Sequence, residues 1–310
     1  MSYTPPYKIT PKITSLVSKI SEAVGSFNVQ EGLRLHRANR VKTIQGSLAI
    51  EGNTLTTDQI TAILDGKPVI APINEVQEIR NAIKAYELLD VLNQNSMDDL
   101  LKAHLTMEAG LIDDAGRFRK RGAGVASGEE IIHYAPPAER VPYLMGDLFD
   151  WMNETEEHPL IKSSVFHYEF EFIHPFSDGN GRTGRLWQTL ILSKWRPVFK
   201  NLPIENIVYK YRKEYYHAIE ASGGDDGCTP FIEFILGVID QTLTIENSAT
   251  RTPRDKIVEQ MRNNPKITRN ELAAMLGITS DGVKYHLQKM TADGVIVHHG
   301  SPRSGYWEVM

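Results

Sequence analysis

The chain has 310 residues, of which 41% are hydrophobic, and a formal net charge of −5, values typical of a folded soluble protein rather than a disordered one. No run of about 18 apolar residues occurs and the N-terminal segment lacks a signal-peptide pattern, so we expect a cytoplasmic protein without a membrane span. A single cysteine, Cys228, excludes an internal disulfide, and no Cys/His cluster has zinc-ligand spacing.

The first 245 residues are predicted to be helical, with one β-hairpin. Prolines at positions 5, 6 and 11 favour an extended start, and apolar residues then recur at helical spacing. Between Arg117 and Pro137, glycines break this pattern and residues 129–134 resemble a strand. Helices are predicted over about 30–52, 57–64, 72–89, 97–109, 141–153, 160–173, 181–195, 212–222 and 230–245.

One loop between two apolar helices has the composition of a phosphate site. It runs from His174 to Arg185 and reads His-Pro-Phe-Ser-Asp-Gly-Asn-Gly-Arg-Thr-Gly-Arg. Gly179 and Gly181 allow backbone N–H groups to converge on an anion, and a helix that begins near Gly181 directs its positive end to the same point. Arg182 lies three residues before Arg185, so the two side chains can bind phosphate oxygens together.

Two other residues of this loop can take part in chemistry. Asp178 is the type of hard oxygen ligand that Mg²⁺ bridging phosphates requires. His174 can accept a proton from an attacking hydroxyl near neutral pH.

The loop resembles the signature of the Fic family, His-Pro-Phe-x-Asp-Gly-Asn-Gly-Arg-x-x-Arg, without a substitution. The resemblance covers roughly residues 40–240 and implies a mainly α, Fic-type helical bundle with a β-hairpin flap. It implies transfer of AMP from ATP to a Ser, Thr or Tyr hydroxyl of a protein, which could be this chain itself. His174 would be the general base, Asp178 the Mg²⁺ ligand and Arg185 the γ-phosphate partner. Nucleotide contacts are implied for Asp178, Gly179, Asn180, Gly181, Arg182, Thr183, Gly184 and Arg185.

Two further segments are similar to parts of the same family. The strand residues Ile131, Ile132, His133 and Tyr134 resemble the flap, whose backbone pairs with the target peptide and covers the nucleotide. An ordinary surface hairpin is the alternative. Tyr215 and Tyr216 resemble a pair near the adenine, with core aromatic residues as the alternative.

An upstream segment resembles the inhibitory pattern of the family, Ser/Thr-x-x-x-Glu followed by Gly or Asn. Here Ser47 and Glu51 lie one helical turn apart, near the end of a helix predicted over about 40–53. A glutamate beside Arg185 would occupy the arginine that the γ-phosphate needs, so ATP would bind with its phosphates misplaced for in-line attack. An exposed Ser and Glu near a helix end is the alternative.

The C-terminal segment resembles a winged helix-turn-helix. A capping box from Thr268 to Glu271, a second helix over about 279–290, and strands at 295–299 and 306–309 form the pattern. Residues 251–310 carry nine Lys/Arg and six Asp/Glu, a net charge of +3 against −8 for the rest. Candidate DNA contacts are Ser280, Lys284 and Tyr285 on the second helix and Arg303 in the wing. Protein binding or formation of a homodimer is the alternative.

The predicted organisation is an N-terminal helical region (1–96), a catalytic core (97–245), a linker (246–253) and the winged domain (254–310). The main hypothesis is a protein adenylyltransferase inhibited by Glu51. Its alternatives are a transcription regulator whose body senses nucleotide or dimerises, and a Fic enzyme that uses another nucleotide or removes AMP.

Overall fold

A computed structural model describes residues 3–25, 29–127, 130–250, 252–301 and 305–310, with side chains described outside 29–35, 125–133 and 249–250. The chain divides into two compact units, Met1–Ile245 and Glu246–Met310. None of the described helices is long and apolar enough to cross a membrane.

The first unit is helical with one hairpin, which confirms the predicted mainly α fold. Its helices are α1 (Pro11–Gly25), α2 (Val29–Ile50), α3 (Thr57–Leu64), α4 (Ile73–Glu87), α5 (Met97–Met107), α6 (Val141–Glu154), α7 (Pro159–Ile173), α8 (Asn180–Trp195), α9 (Ile204–Lys210), α10 (Arg212–Glu220) and α11 (Thr229–Thr250). The hairpin consists of β1 (Gly124–Ser127) and β2 (Glu130–Tyr134), which are antiparallel.

Three features of the helix pattern differ from the prediction. α1 is absent from the predicted helices and begins at Pro11, which was expected to belong to the extended start. α9 was not predicted, because it is short and follows a proline. α11 continues to Thr250, five residues into the predicted linker 246–253. The polar residues after Ile245 do not stop a helix by themselves, whereas Pro253 disfavours helical geometry in the residue before it.

The core is formed around α7 and α8, which are buried on almost every face. Their largest fully buried side chains include Phe166, Phe170 and Trp187. A helix that is apolar on all sides must be surrounded by other elements. These two central helices therefore hold the loop between them, residues 174–179, in a fixed position.

The N-terminal helices belong to the same compact unit as the predicted core, because α2 packs closely along α9. Gly46 makes this approach possible: a Cβ at this position would lie 2.6 Å from Asn206 Cα and 2.6 Å from the Glu205 carbonyl carbon. The contact immediately precedes Ser47, so the packing of α2 on α9 sets the position of the inhibitory segment.

We expect Gly46→Ala to destabilise the first unit by about 1–3 kcal/mol, because the added methyl group would force the two backbones apart. The matched control is Gly237→Ala in α11, where an added Cβ meets no atom within 4 Å. Replacing this helical glycine should stabilise the protein by up to about 1 kcal/mol. Urea unfolding measures the change in the free energy of unfolding for both variants. Two changes of the same sign would contradict the packing argument.

The segment before α1 is attached to the core by polar contacts. The Tyr3 hydroxyl donates to Glu169 Oε2 at 2.7 Å, and the Cys228 backbone N–H donates to Pro6 O at 2.9 Å. Cys228 is a buried free thiol, and burial raises its pKa, which disfavours the reactive thiolate. Burial also raises the pKa of the Glu169 carboxyl to about 7, although the hydrogen bond from Tyr3 opposes this shift.

A raised native-state pKa makes Glu169 a source of pH-dependent stability. The folded protein favours the protonated form of this carboxyl. The resulting stabilisation of the folded state is fully present below about pH 4.5 and is lost as the pH rises through 7. We expect the free energy of unfolding of Glu169→Gln, relative to that of the parent, to increase from pH 5 to pH 8 by on the order of 1–3 kcal/mol. Urea unfolding at both pH values measures this, and a constant difference would contradict it.

The second unit has the predicted winged helix-turn-helix order. Its elements are α12 (Pro253–Asn263), α13 (Arg269–Leu276), α14 (Ser280–Ala292), β3 (Ile296–His299) and β4 (Tyr306–Val309). The capping box between Thr268 and Glu271 is present, and Gly277 ends α13 with a positive φ of 64°. β3 and β4 pair antiparallel, and Ile257, Leu272 and Val283 contribute to a small separate core. The helix α12 was not predicted.

Candidate active site

The loop between α7 and α8 is fixed by its own side chains. His174 ends α7 in the left-handed region, with φ 50° and ψ 60°, and is the one non-glycine residue of the described chain with positive φ. The Asn180 side chain accepts a hydrogen bond from Phe176 N and donates one to Phe176 O, both at 2.9 Å. Asn180 therefore closes the loop on itself.

A buried histidine on α5, His104, supports the same loop. The His104 ring stacks on Phe176 with the centroids 3.6 Å apart. Its Nδ1 accepts from Gly116 N at 2.9 Å, which assigns the hydrogen to Nε2, and Nε2 donates to Asp178 O at 2.9 Å. Burial lowers the pKa of His104 to about 4, so the ring is neutral and acts as a structural support.

The Glu51 carboxylate lies against the N-terminus of α8, where the sequence predicts an anion site. The N-cap residue Gly179 provides no side-chain cap, so backbone N–H groups of the first turn are left for another acceptor. A Cβ at Gly181 would overlap Glu51 Oε1, which places this oxygen against the first turn of α8. A carboxylate in this position is stabilised by the positive end of the helix.

Arg185 joins the inhibitory segment to the catalytic loop. Its Nη2 donates to Glu51 Oε1 at 2.6 Å and to Ser47 O at 2.9 Å, and its Nε donates to Ser47 Oγ at 3.2 Å. Burial alone disfavours the charge on this side chain, but Glu51 raises the pKa of Arg185 above its usual value. Both predicted members of the inhibitory pattern thus bind the predicted phosphate-binding arginine.

Arg182 has a different set of partners, a carboxylate cluster formed by Glu78, Glu108 and Asp178. The nearest nitrogen–oxygen distances are 3.7 Å to Glu78, 3.3 Å to Glu108 and 3.1 Å to Asp178. Burial raises the pKa of Glu108 to about 7, and Arg182 opposes this shift. The two arginines therefore have different carboxylate partners, since Arg185 pairs with Glu51 just after α2 and Arg182 pairs with this cluster.

Two residues of the predicted nucleotide-binding run are packed inside the protein. Thr183 is fully buried, and Gly184 lies against Phe170 and Glu171. Gly184 faces α7, and Thr183 precedes it on α8. The nucleotide contacts implied for residues 178–185 stay predictions.

His174 lies beside a second buried carboxylate that was not predicted. Its side chain is 16% exposed, and the shortest separation from Glu171 joins Nδ1 and Oε2 at 3.9 Å. Burial raises the pKa of Glu171 to about 7, against the opposing effect of Arg185. This carboxyl connects His174 electrostatically with the arginine that Glu51 binds.

The two predicted adenine tyrosines have different environments. Tyr215 is 1% exposed, and its hydroxyl lies 3.1 Å from His167 Nε2, so it is a core residue. Tyr216 is only partly buried, and burial together with Glu51 raises its pKa to about 12. Of the two tyrosines, only Tyr216 retains accessible surface beside the site. Their adjacency in sequence did not reveal this difference.

The predicted flap is present as a hairpin with an irregular register. Gly124 pairs with Tyr134 and Ser127 with Glu130, and a register shift between Val125 and Ala126 leaves Ile132 as the extra residue on β2. Tyr134 is 76% exposed. The side chains of Ile131, Ile132 and His133 lie outside the described part of the structure. In the described strands, β1 and β2 pair only with each other, so neither outer edge is paired with another strand.

Several residues around the loop were not predicted from sequence: Glu78, His104, Glu108, Arg119 and Glu171. They lie on other helices or on the segment before the flap, and each is an ordinary polar residue at its own position. A charged residue within an apolar helix, as at Glu171, is the one local signal that could have indicated a role.

The C-terminal module presents cations on one side of α14. Lys284 and Tyr285 are exposed, whereas Ser280 is partly buried and donates to Asn270 Oδ1 at 3.1 Å. Lys284 also lines a cleft of about 540 Å³ together with Lys266 and Arg269. The predicted wing contact, Arg303, lies outside the described residues.

Sequence comparison assigns both parts of the chain. The Fic/DOC family profile matches residues 92–192, and a winged helix-turn-helix DNA-binding profile matches residues 255–297. A crystal structure of a Fic family protein from Desulfovibrio desulfuricans has 40% sequence identity and a TM-score of 0.77, covering 99% of this chain and 98% of that one. The chain belongs to the Fic family.

Other Fic relatives carry a functional name. Protein adenylyltransferase fic-1 from Caenorhabditis elegans is 29% identical over 276 residues, which are 81% of this chain and 51% of that protein. Protein adenylyltransferase Fic from Culex quinquefasciatus is 28% identical over 280 residues. A solved fragment of Fic-1 from C. elegans has 26% identity and a TM-score of 0.64, covering 77% of this chain and 71% of that fragment. The chain spans about half the length of these curated relatives.

The position of the Glu51 carboxylate at the N-terminus of α8 leads to a prediction that does not depend on catalysis. Glu51→Gly should vacate the N-terminus of α8 and leave the buried Arg185 guanidinium without its carboxylate. We expect sulfate to raise the melting temperature of this variant more than that of the parent, because an anion can replace the lost carboxylate.

Two controls make this measurement specific. Sodium chloride at matched ionic strength corrects for screening, and the parent corrects for the general stabilisation by sulfate. The double variant Glu51→Gly with Arg185→Gln should lose the extra response. Equal sulfate shifts in the parent and in Glu51→Gly would show that Glu51 does not occupy an anion site.

Proposed function

We propose that this chain is a protein adenylyltransferase whose activity is inhibited by Glu51. The observation that carries the proposal is the position of His174 beside the anion site at the N-terminus of α8, where a carboxylate already binds Arg185. The functional name of the Fic relatives supports the same reaction.

In the proposed reaction, a Ser, Thr or Tyr hydroxyl of a protein attacks the α-phosphorus of ATP. The new bond joins the hydroxyl oxygen to this phosphorus, and the bond to the pyrophosphate oxygen breaks. His174 accepts the hydroxyl proton, and its Nε2 suits this role because Nδ1 is the nitrogen on the Glu171 side. The α8 N-terminus and Arg185 bind the phosphates.

Asp178 fits a role as a magnesium ligand. Its side chain is 63% exposed, and its Oδ1 accepts from Gly179 N at 2.6 Å and from Arg182 at 3.1 Å. No group of three or more His, Cys, Asp or Glu in the described residues could hold a metal alone, so this site needs phosphate oxygens to complete it. Mg²⁺ bound there would neutralise phosphate charge.

Glu51 would inhibit by competing with the γ-phosphate for Arg185 rather than by blocking the binding of ATP. While its carboxylate binds Arg185, the γ-phosphate cannot, and the triphosphate is displaced from in-line geometry. A misplacement of about 1 Å can lower a rate about 10²-fold, so catalysis should suffer more than ATP affinity. The Glu51 side chain is 35% exposed, which leaves it room to move away.

The decisive test is transfer of α-labelled ATP to protein, with the chain itself as acceptor and Mg²⁺ present. We expect label to increase in Glu51→Gly and to fall by roughly 10²- to 10⁴-fold when His174→Ala is added, the usual effect of losing a general base. Labelled GTP, CTP and UTP in parallel identify the nucleotide. Release of AMP from labelled protein tests the reverse activity.

A different outcome would favour a different function. If ATP binds but no nucleotide labels any variant, the adenylyltransferase proposal is wrong. The body would then act as a nucleotide sensor or as part of a homodimer. Sedimentation measurements of the molecular mass, with and without ATP, would separate these two roles.

We also propose that the winged unit binds DNA through α14. The cleft lined by Lys266, Arg269 and Lys284 supports this proposal, because clustered cations on one side of a recognition helix suit a phosphate backbone. Neither Lys266 nor Arg269 was among the candidates chosen from the sequence.

Lys284→Ala in the full chain should weaken duplex binding about tenfold and lower the salt slope by about 1, as expected for one lost phosphate contact. Lys289→Ala is the matched control, since it removes an exposed cation of the same helix that does not line the cleft. Gel shifts at several salt concentrations measure both. Equal losses would show that only net charge matters, and salt-independent binding would contradict a phosphate contact.

A further inference from the structure

Arg119 lies in the segment between α5 and the flap, and its side chain contacts both the flap and the start of the catalytic loop. Only 4% of the residue is exposed. Its guanidinium donates to four backbone carbonyl groups, and its backbone N–H donates to Pro175 O at 2.9 Å. Such a set of acceptors is unusual for an arginine, because none of them is a carboxylate.

Two of the four carbonyls belong to the C-terminal end of α7. Arg119 Nε donates to His174 O at 2.7 Å, and Nη2 donates to Ile173 O at 3.2 Å. The last carbonyls of a helix have no partners within it, and a cation at this end is favourable. The left-handed backbone of His174 costs on the order of 1–3 kcal/mol and needs support from its surroundings. Arg119 supplies that support directly at the proposed general base.

The other two carbonyls lie at the base of the flap, one beside each strand. Nη1 donates to Arg121 O at 2.7 Å, ahead of β1, and Nη2 donates to Pro136 O at 2.6 Å, after β2. One planar side chain therefore holds both ends of the hairpin and the residue that bears the catalytic imidazole.

We propose that Arg119 is a positioning residue that keeps the flap in register with His174, so that a peptide bound along the flap presents its hydroxyl to the imidazole. This inference rests on the proposed adenylyltransferase function and deepens it. Arg119 acts through backbone carbonyls and touches neither reactant, so its effect falls on alignment of the acceptor.

The geometry explains why this position needs arginine. Guanidinium nitrogens point in several fixed directions in one plane, whereas lysine has a single ammonium group on a flexible stem. Lysine would keep the charge but could reach only some of the four carbonyls. The remaining buried carbonyls would lose their partners, and the hairpin would be free to move relative to α7.

The experiment uses the full chain with Glu51→Gly as the parent, and adds Arg119→Lys or Arg119→Gln. The matched control is Arg117→Gln, which removes an exposed cation two residues away in the same segment. Four quantities are measured for each: the rate of AMP transfer, the dissociation constant for ATP, amide hydrogen exchange over residues 121–136, and the melting temperature.

We expect Arg119→Lys to fold, to bind ATP within about threefold of the parent, and to transfer AMP about 10- to 100-fold more slowly, in line with the cost of misalignment. Amides of the flap should exchange faster, whereas Arg117→Gln should resemble the parent in all four quantities. If Arg119→Gln fails to fold, Arg119→Lys carries the test.

Two results would overturn the inference. One is an unchanged transfer rate in Arg119→Lys with normal flap exchange, and the other is slow transfer with unchanged flap exchange, which would place the effect elsewhere. If the Glu51→Gly parent itself transfers no label, the proposed function fails. The exchange measurement then still decides whether Arg119 couples the flap to α7.

Discussion

The structure of the site depends on the positive end of α8, which lies in the centre of a helical bundle rather than at its surface. Unpaired N–H groups of the first turn and the buried guanidinium groups of Arg182 and Arg185 concentrate positive charge there. Such charge needs anionic partners, since an unpaired buried charge is strongly destabilising. The surrounding helices meet this need with the carboxylate cluster on one side and Glu51 on the other.

Glu108 and Glu51 differ in accessibility, and this difference suits the different roles proposed for them. Glu108 is fully buried and holds Arg182 from within the core, so it is a permanent partner. Glu51 lies just beyond the end of α2 and is partly exposed, so in the proposed mechanism a phosphate group replaces it without unfolding of the bundle. An inhibitory group must be removable, and a residue that follows the last turn of a helix can move at low cost.

The catalytic loop reaches its conformation through contacts from three directions. Asn180 binds the loop from within, His104 supports it from α5, and Arg119 satisfies carbonyls at its start. These contacts stabilise the left-handed conformation of His174, which turns the chain sharply from α7 into the loop. The proposed general base is therefore placed by backbone geometry, and the Arg119 contacts also attach the flap to it.

The sequence by itself determined the helical body, the hairpin, the winged unit and the candidate residues of the loop, because these depend on local patterns: apolar spacing, glycines and prolines, and a contiguous stretch of chain. It also determined that Ser47 and Glu51 lie one turn apart. Only the tertiary structure decided that Arg182 and Arg185 bind different partners, that Tyr215 is a core residue beside an accessible Tyr216, and that Glu78, Glu108 and Arg119 belong to the site. These facts depend on which faces of distant helices meet, and no single segment contains that information.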